Sequence, residues 1–129
     1  MNGGEISNNT SKDYGGGVSI QGGKFTMTGG VISGNTANNG NSSFSGGTGY
    51  GGGVYLNGYP SFAKTGGTIY GYTQNDPNSN TVVEKTVILT NRGHAIYVGG
   101  SSSTHKETTI GEDDDLYYND LDKGTLGWW

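Results

Sequence analysis

The chain repeats short strings of residues, and this internal repetition restricts its fold more than any other feature. The string M-x-G-G-x-I-S-x-N occurs at residues 1–9 and again at residues 27–35. A second string, GGGVSI at residues 15–20, returns as GGGVYL at 51–56 and in altered form as GHAIYV at 93–98. Repetition at intervals of about 20–50 residues is typical of proteins that stack one small structural unit on the next. The sequence therefore predicts an array of similar units.

Each unit contains short runs in which apolar and polar residues alternate, and glycine pairs form the predicted corners between these runs. Examples are Val18–Ile20, Phe25–Met27 and Val31–Ser33. Strands this short bury their apolar side only if equivalent strands of successive units stack in parallel, about 4.8 Å apart. We therefore predict an all-β fold, a right-handed parallel β-helix (β-solenoid) of about three irregular coils.

The inward positions of such a fold are predicted to form ladders of like residues along the stack. The predicted lining residues are Val18, Ile20, Phe25, Met27, Ile32, Val54, Leu56, Phe62, Ile69, Val87, Leu89, Ile96 and Val98. The predicted isoleucine ladder consists of Ile6, Ile32, Ile69 and Ile88, and the sequence leaves open whether Ile88 or Leu89 faces inward. Aliphatic and aromatic side chains of this kind supply the apolar surface that a stacked array can bury.

Asparagine is predicted at one corner of every coil. Asn9, Asn35 and Asn91 each end a string of the form Ile-x-x-Asn. Asparagine tolerates a positive φ angle better than most residues, which suits a tight corner. Its side-chain amide also has a donor and an acceptor, so stacked asparagines can hydrogen-bond from coil to coil.

Two polar insertions interrupt the repeats, at residues 36–50 and 71–80. In a stacked array such insertions become loops that project from a corner. The predicted organisation is thus a repeat region at 1–110 and an acidic and aromatic tail or cap at 111–129. Aromatic residues in or beside the insertions either form a contact surface or cover the flank of the array. These residues are Phe44, Tyr50, Tyr59 and Tyr72.

Composition excludes several classes of function. Hydrophobic residues make up 29% of the chain and 27 residues are glycine, so a conventional thick core is not expected. The net charge is −4 with only seven Lys and Arg residues, which argues against a nucleic-acid partner. With zero cysteines, the chain has neither disulfides nor thiolate zinc sites. The longest aliphatic runs, Val87–Leu89 and Ile96–Val98, are too short for a membrane span or a signal peptide, so any export signal lies outside this sequence.

The residues offer little that would support catalysis or metal binding. A polysaccharide lyase or hydrolase needs clustered carboxylates, whereas the charged residues in the predicted strands are isolated. His94 is interpreted as a corner residue that replaces glycine. The acidic run at 112–115, followed by Asp120 and Asp122, does not have the spacing of an EF-hand and is interpreted as a solvated tail. We expect no enzyme activity, no cofactor and no metal site.

Four strings resemble the glycine-rich right-handed β-helix repeats of bacterial surface and adhesin-like proteins, within the pectate-lyase-like superfamily. They are GGGVSI at 15–20, MTGGVISGN at 27–35, GGGVYL at 51–56 and GHAIYV at 93–98. The resemblance covers roughly residues 1–110 and implies the β-helix fold. Its superfamily contains both enzymes and inert scaffolds, so it does not imply one function. Because its members are generally exported, it implies an extracellular or cell-surface location.

Both ends of the chain carry apolar residues that suit contacts between copies stacked head to tail. The expected contact residues are Met1, Ile6, Leu116, Leu121, Leu126, Trp128 and Trp129. We therefore expect a non-catalytic structural or adhesive module that assembles end to end into a fibre, with host or matrix glycans or proteins as further partners. The alternatives are a carbohydrate-binding or polysaccharide-degrading β-helix and a ligand-binding calcium module.

Overall fold

The structure is a computed structural model of the 129-residue chain. It describes residues 1–38, 49–58, 60–84, 87–88 and 92–99, and the backbone of the strands at 103–106 and 116–118. The described residues contain strands and turns and no helix, so the predicted all-β class is confirmed. Among them, no helix is long and apolar enough to cross a membrane.

Twelve strands form among the described residues. They are β1 (Asn2–Ser7), β2 (Thr10–Ser11), β3 (Val18–Ile20), β4 (Lys24–Ser33), β5 (Thr36–Asn38), β6 (Val54–Leu56), β7 (Ser61–Ile69), β8 (Thr81–Glu84), β9 (Val87–Ile88), β10 (Ile96–Val98), β11 (Ser103–Lys106) and β12 (Leu116–Tyr118). The first sheet has the order β1-β4-β7-β11, the second β2-β5-β8-β9 and the third β3-β6-β10-β12. Every neighbouring pair is parallel except β8 and β9, which are antiparallel.

The chain visits the three sheets in the same order three times. Strands β1 to β3, β4 to β6, and β7, β8 and β10 each pass through the first, second and third sheet. We call these three passages units one, two and three. Equivalent strands of successive units are neighbours in every sheet, and each unit returns to the first sheet to begin the next.

The third sheet stacks like residues in register. Val18 pairs with Val54, and Val54 pairs with Ile96. Two residues further along, Leu56 lies between Ile20 and Val98. Val54, Leu56, Ile96 and Val98 have no exposed side-chain surface. Since side chains alternate along a strand, these residues line the inner face and the residues between them face outward.

The first sheet contributes an isoleucine ladder and an aromatic pair. Ile6, Ile32 and Ile69 are in register, and Ile32 and Ile69 are fully buried. Phe25 pairs with Phe62, and their rings are parallel within 8° with centroids 5.6 Å apart. Ile20 and Met27 are also buried, while Met1, Ile6, Val18 and Phe25 are partly buried against the same core.

Two residues placed in the lining by sequence reasoning lie elsewhere. Val87 is 63% exposed, and Ile88 pairs with Val83 in the antiparallel β8–β9 hairpin of the second sheet. Their predicted inward positions are wrong, as is the alignment of Ile88 with the isoleucine ladder. In β8, Val82 is the fully buried residue, and it is in register with Ala37 of β5. Apolar residues recur throughout 81–89, which includes both β8 and β9. This pattern alone does not show which of the two strands pairs in parallel with β5. Leu89 lies outside the described residues.

The predicted corner at Gly29 and Gly30 is a bulge inside a strand. β4 runs unbroken across it, and the pairing of β4 with β7 changes register between Thr28 and Val31. Gly30 has a φ of 97°, which bends the strand without ending its pairing. The runs 25–27 and 31–33 therefore belong to one sheet.

The insertions and the tail differ in part from expectation. Thr36–Asn38, placed at the start of the first insertion, is strand β5 and pairs with β2 and β8. Residues 39–48 lie outside the described part. The second insertion, 71–80, contains turns and no strand. Within the tail, β12 pairs with β10 in parallel, with Leu116 opposite Ile96.

Replacing Ile32 with alanine should destabilise the fold strongly, because it removes a fully buried side chain between Ile6 and Ile69. We expect Ile32→Ala to lower the free energy of unfolding by about 2–5 kcal/mol in denaturant titrations. Val87→Ala is the matched control, since Val87 is 63% exposed, and it should change stability by less than about 0.5 kcal/mol. Equal losses in the two variants would contradict the ladder.

Candidate functional site

One corner of the fold is a ladder of asparagine side chains that runs from the exposed Asn9 to the buried Asn35 and Asn80. Asn9 donates from Nδ2 to Oδ1 of Asn35 over 3.0 Å, and Asn35 donates in the same way to Asn80 over 2.9 Å. The same Oδ1 atoms accept the backbone N–H of Asn9 and of Asn35, both over 3.0 Å. Asn35 and Asn80 have no exposed surface. The ladder thus supplies partners for side-chain and backbone groups that would otherwise be buried without any.

The third member of this ladder is Asn80, where sequence reasoning had placed Asn91. Asn80 repeats the contacts of Asn35, because Asn35 donates to the carbonyl of Ile6 and Asn80 to the carbonyl of Ile32, each over 2.9 Å. Asn91 lies outside the described residues. Positive φ angles at this corner fall on Asn8 (57°) and Gly34 (63°), each one residue before the ladder. The prediction that a positive φ angle explains Asn9 and Asn35 is therefore wrong. The predicted hydrogen bonds between their amides from unit to unit are present.

His94 occupies the second position of the third glycine-containing turn. It is 4% exposed, and its Nδ1 accepts the backbone N–H of Val82 over 3.1 Å. The ring of Tyr72 lies against it, with centroids 5.1 Å apart. These contacts fit the interpretation of His94 as a corner residue that stands in place of glycine.

Four tyrosines form a cluster on the outer face of the third sheet. Tyr55 and Tyr97 are in register at the centres of β6 and β10, between inward-facing residues. Tyr14 and Tyr50 form a parallel bridge and precede the turns that begin at Gly15 and Gly51. We call Tyr14, Tyr50, Tyr55 and Tyr97 the tyrosine cluster.

The rings of the tyrosine cluster pack in a pattern that repeats from unit to unit. Tyr14 stacks on Tyr55 with centroids 4.5 Å apart, and Tyr50 lies on Tyr97 at 4.3 Å. In both pairs the tyrosine before a turn covers the strand tyrosine of the next unit. Along the stack, Tyr55 and Tyr97 form one row and Tyr14 and Tyr50 form another. The ring planes within a row are nearly parallel, with interplanar angles of 6° for Tyr55 and Tyr97 and 9° for Tyr14 and Tyr50. Aromatic pairs in such geometries add about 0.5–1.5 kcal/mol each beyond the area they bury.

Arg92 lies at the end of the row formed by Tyr14 and Tyr50. It precedes Gly93 as Tyr14 precedes Gly15 and Tyr50 precedes Gly51. Its guanidinium carbon lies 4.5 Å from the ring centroid of Tyr50, which is a cation–π contact. Unit three therefore places a cation where the first two units place an aromatic ring.

Burial of the cluster affects the ionisation of its central member. Tyr55 is only 6% exposed although it faces away from the core. Desolvation raises the pKa of Tyr55 above 10.0, and the neighbouring hydroxyls of Tyr14, Tyr97 and Tyr50 raise this pKa further. The Tyr55 hydroxyl therefore ionises at a higher pH than that of an exposed tyrosine.

The structure brings together only some of the residues singled out by sequence. Tyr50 is in the tyrosine cluster, Tyr72 lies against His94, and Phe44 and Tyr59 lie outside the described residues. Of the expected assembly contacts, Met1 and Ile6 pack on the core and Leu116 lies in β12. The others, together with the acidic run, lie outside the described part; they are Leu121, Leu126, Trp128, Trp129 and residues 112–115. Within the described part, no three His, Cys, Asp or Glu side chains are grouped to hold a metal ion.

Sequence reasoning missed Asn80 and most of the tyrosine cluster, although both have a signal in the repeats. The string Asn-Thr followed by a small or apolar residue occurs at 9–11, 35–37 and 80–82. The aligned strings at 51–56 and 93–98 each carry tyrosine between two inward residues. The Asn-Thr strings point to Asn80, and the outward positions of the two aligned strings point to Tyr55 and Tyr97.

Comparison with protein-family models, curated proteins and solved structures finds no match to this chain.

The raised pKa of Tyr55 predicts a specific sensitivity to alkali. A raised folded-state pKa stabilises the fold fully below pH about 10, and this contribution is lost as the pH rises through the folded-state value. In denaturant unfolding between pH about 8 and about 11, Tyr55→Phe should lose less stability than the wild type. Tyr70→Phe, outside the cluster, controls for the loss of a tyrosine hydroxyl. An identical alkaline decline in wild type and Tyr55→Phe would refute the prediction.

Proposed function

We propose that this chain is a right-handed parallel β-helix that acts as a non-catalytic structural or adhesive module outside the cell. The observation that carries the proposal is the repeated order of the three sheets, with equivalent strands parallel and like residues in register. Connections between parallel strands of one sheet are right-handed in about 98% of cases, which supports the assigned hand.

The interior of the described residues supports a scaffold more than an enzyme. The buried hydrophobic cluster contains aliphatic residues, Met27 and Phe62, and the asparagine ladder uses its amides for hydrogen bonds within the fold. His94 is buried and its Nδ1 holds a backbone N–H. A general base must instead reach a substrate proton. The extracellular location rests on the resemblance of the repeats to those of exported bacterial surface proteins.

The same geometry supports assembly of copies into a fibre. Among the described strands, β1 and β3 are edge strands of the first and third sheets, and β11 and β12 are the opposite edges. Unpaired parallel edges are templates for further strands. A head-to-tail contact through these two sheets would continue both in register and would generate an open filament, because the contact is heterologous.

Sedimentation and negative-stain electron microscopy test the structural role. The intact chain should form particles longer than one molecule, and a version lacking residues 116–129 should not, because it lacks the β12 edge. Single molecules of the same size at every concentration, with and without these residues, would contradict assembly.

A second candidate function, carbohydrate binding, is favoured by the tyrosine cluster. Its rings lie outside the core on one sheet, and Arg92 adds hydrogen-bond donors next to Tyr50. Tyrosine presents an apolar ring and a polar hydroxyl, which suits the mixed surface of a sugar. Aromatic residues and arginine are also enriched where proteins bind partners.

A glycan array distinguishes the two candidates. If the cluster binds a glycan, Tyr14→Ala and Tyr97→Ala should each weaken binding about tenfold, with circular dichroism confirming the fold. Lys24→Ala, at an exposed position of the first sheet, is the control and should bind as the wild type does. No binding at all would leave the structural role, and reducing-sugar release from a polysaccharide would contradict the non-catalytic assignment.

A further inference from the structure

The three glycine-containing turns differ at their second residue, which is Gly16, Gly52 and then His94. The turns stack directly, because Gly16 donates its N–H to the carbonyl of Gly51 and Gly52 donates to that of Gly93, each over 3.0 Å. Their first residues, Gly15, Gly51 and Gly93, share positive φ angles of 59°, 69° and 66°. The three turns thus share this backbone conformation, while unit three carries His94 at the second position and Ala95 where the first two units have Gly17 and Gly53.

Glycine is required at this position where the next unit stacks on the turn. A Cβ on Gly16 would clash with the carbonyl oxygen of Gly52 and would lie 2.7 Å from the backbone nitrogen of Thr36, the first residue of β5. A Cβ on Gly52 would lie 2.6 Å both from the carbonyl oxygen of His94 and from the backbone nitrogen of Thr81, the first residue of β8. In each case the turn and the second-sheet strand of the next unit fill the space beside the glycine. A side chain at the equivalent position of unit three therefore extends towards the place of a further parallel strand.

The contact between His94 and Val82 shows what the side chain does there. Thr81 donates its N–H back to the carbonyl of Asn35 over 2.7 Å, towards unit two. Successive N–H groups of a strand point to opposite sides, so the N–H of Val82 points away from β5. This N–H would bond a carbonyl of the next parallel strand, and Nδ1 of His94 accepts it instead over 3.1 Å.

The rest of this sheet edge is covered by the β8–β9 hairpin. β9 runs antiparallel to β8 and pairs with its last two residues, Val83 and Glu84. His94 covers the beginning of β8 and β9 covers the end. Tyr72, from the segment between β7 and β8, packs against the imidazole ring.

We propose that His94 terminates the second sheet. Its imidazole takes the place of a fourth parallel strand and satisfies the N–H that such a strand would bind. This closes the β8 edge of the sheet to further parallel strands, whether they come from this chain or from another copy. The first and third sheets continue past this point through β11 and β12. The inference rests on the geometry of the turns and is independent of the proposed function.

Nuclear magnetic resonance of the intact chain tests this role directly. Because Nδ1 accepts a hydrogen bond, the ring of His94 should be neutral with its proton on Nε2, which the ¹⁵N shifts of the imidazole report. His105 is the only other histidine and serves as the internal reference. A proton on Nδ1 of His94 at neutral pH would overturn the proposal even if no variant could be made.

Amide hydrogen exchange at Val82 supplies the second test. In His94→Asn, Oδ1 stands close to the position of Nδ1 and can accept the same N–H, so Val82 should stay protected. His94→Ala removes the acceptor, and exchange at Val82 should become at least about tenfold faster while the amide of Thr81 is unchanged. Equal protection of Val82 in His94→Ala and in the wild type would overturn the proposal. So would equal acceleration at Val82 and Thr81, which would indicate general loosening.

Discussion

The three sheets depend on parallel strands that stack in register, so that a residue at a repeated position lies beside its equivalent in the next unit. A residue at a repeated position must therefore be compatible with a copy of itself about 4.8 Å away. Isoleucine and valine meet this condition through packing alone. At a buried polar corner, asparagine meets it because one amide both donates and accepts. Asn35 accepts from Asn9 and donates to Asn80 within a single side chain. Aspartates repeated along this ladder would set like charges against each other, and a leucine at position 35 would leave the N–H of Asn9 without this acceptor.

Much of the pairing was predictable, because repeated strings carry their register with them. Val18, Val54 and Ile96 are neighbours in the third sheet as their shared strings indicated. Prediction failed where the spacing between units changed. The segment 71–80 separates Ile69 from Asn80, so the ending of the unit no longer has the short Ile-x-x-Asn form. Asn91, which has that form, lies outside the described residues. The bulge at Gly30 was missed for a different reason, since paired glycines suit a bend within a strand as well as a corner between strands.

The tyrosine cluster shows that the outer face of the array obeys the same rule as its interior. Tyr55 is shielded from water by other outward-facing tyrosines and not by the core, and its raised pKa records that shielding. The sequence predictions assigned packing to the inward positions and contact surfaces to the loops. They therefore missed Tyr14, Tyr55 and Tyr97, which lie on neither the core face nor a long insertion. An outward ladder of large side chains adds contacts between units that a thin interior does not supply, which matters in a chain with only 29% hydrophobic residues.

Unit three departs from the repeat at Arg92 and His94, on either side of Gly93, and both departures change the direction of the contact. In units one and two, Tyr14 and Tyr50 extend onto the strand tyrosine of the following unit. Arg92 instead places its guanidinium over Tyr50 of the preceding unit. Gly16 and Gly52 leave room for the following unit, whereas His94 uses that room to bind Val82 of its own unit. The residues at 92 and 94 therefore mark a boundary of the second sheet, through the loss of the aromatic residue before the turn and of the turn's second glycine.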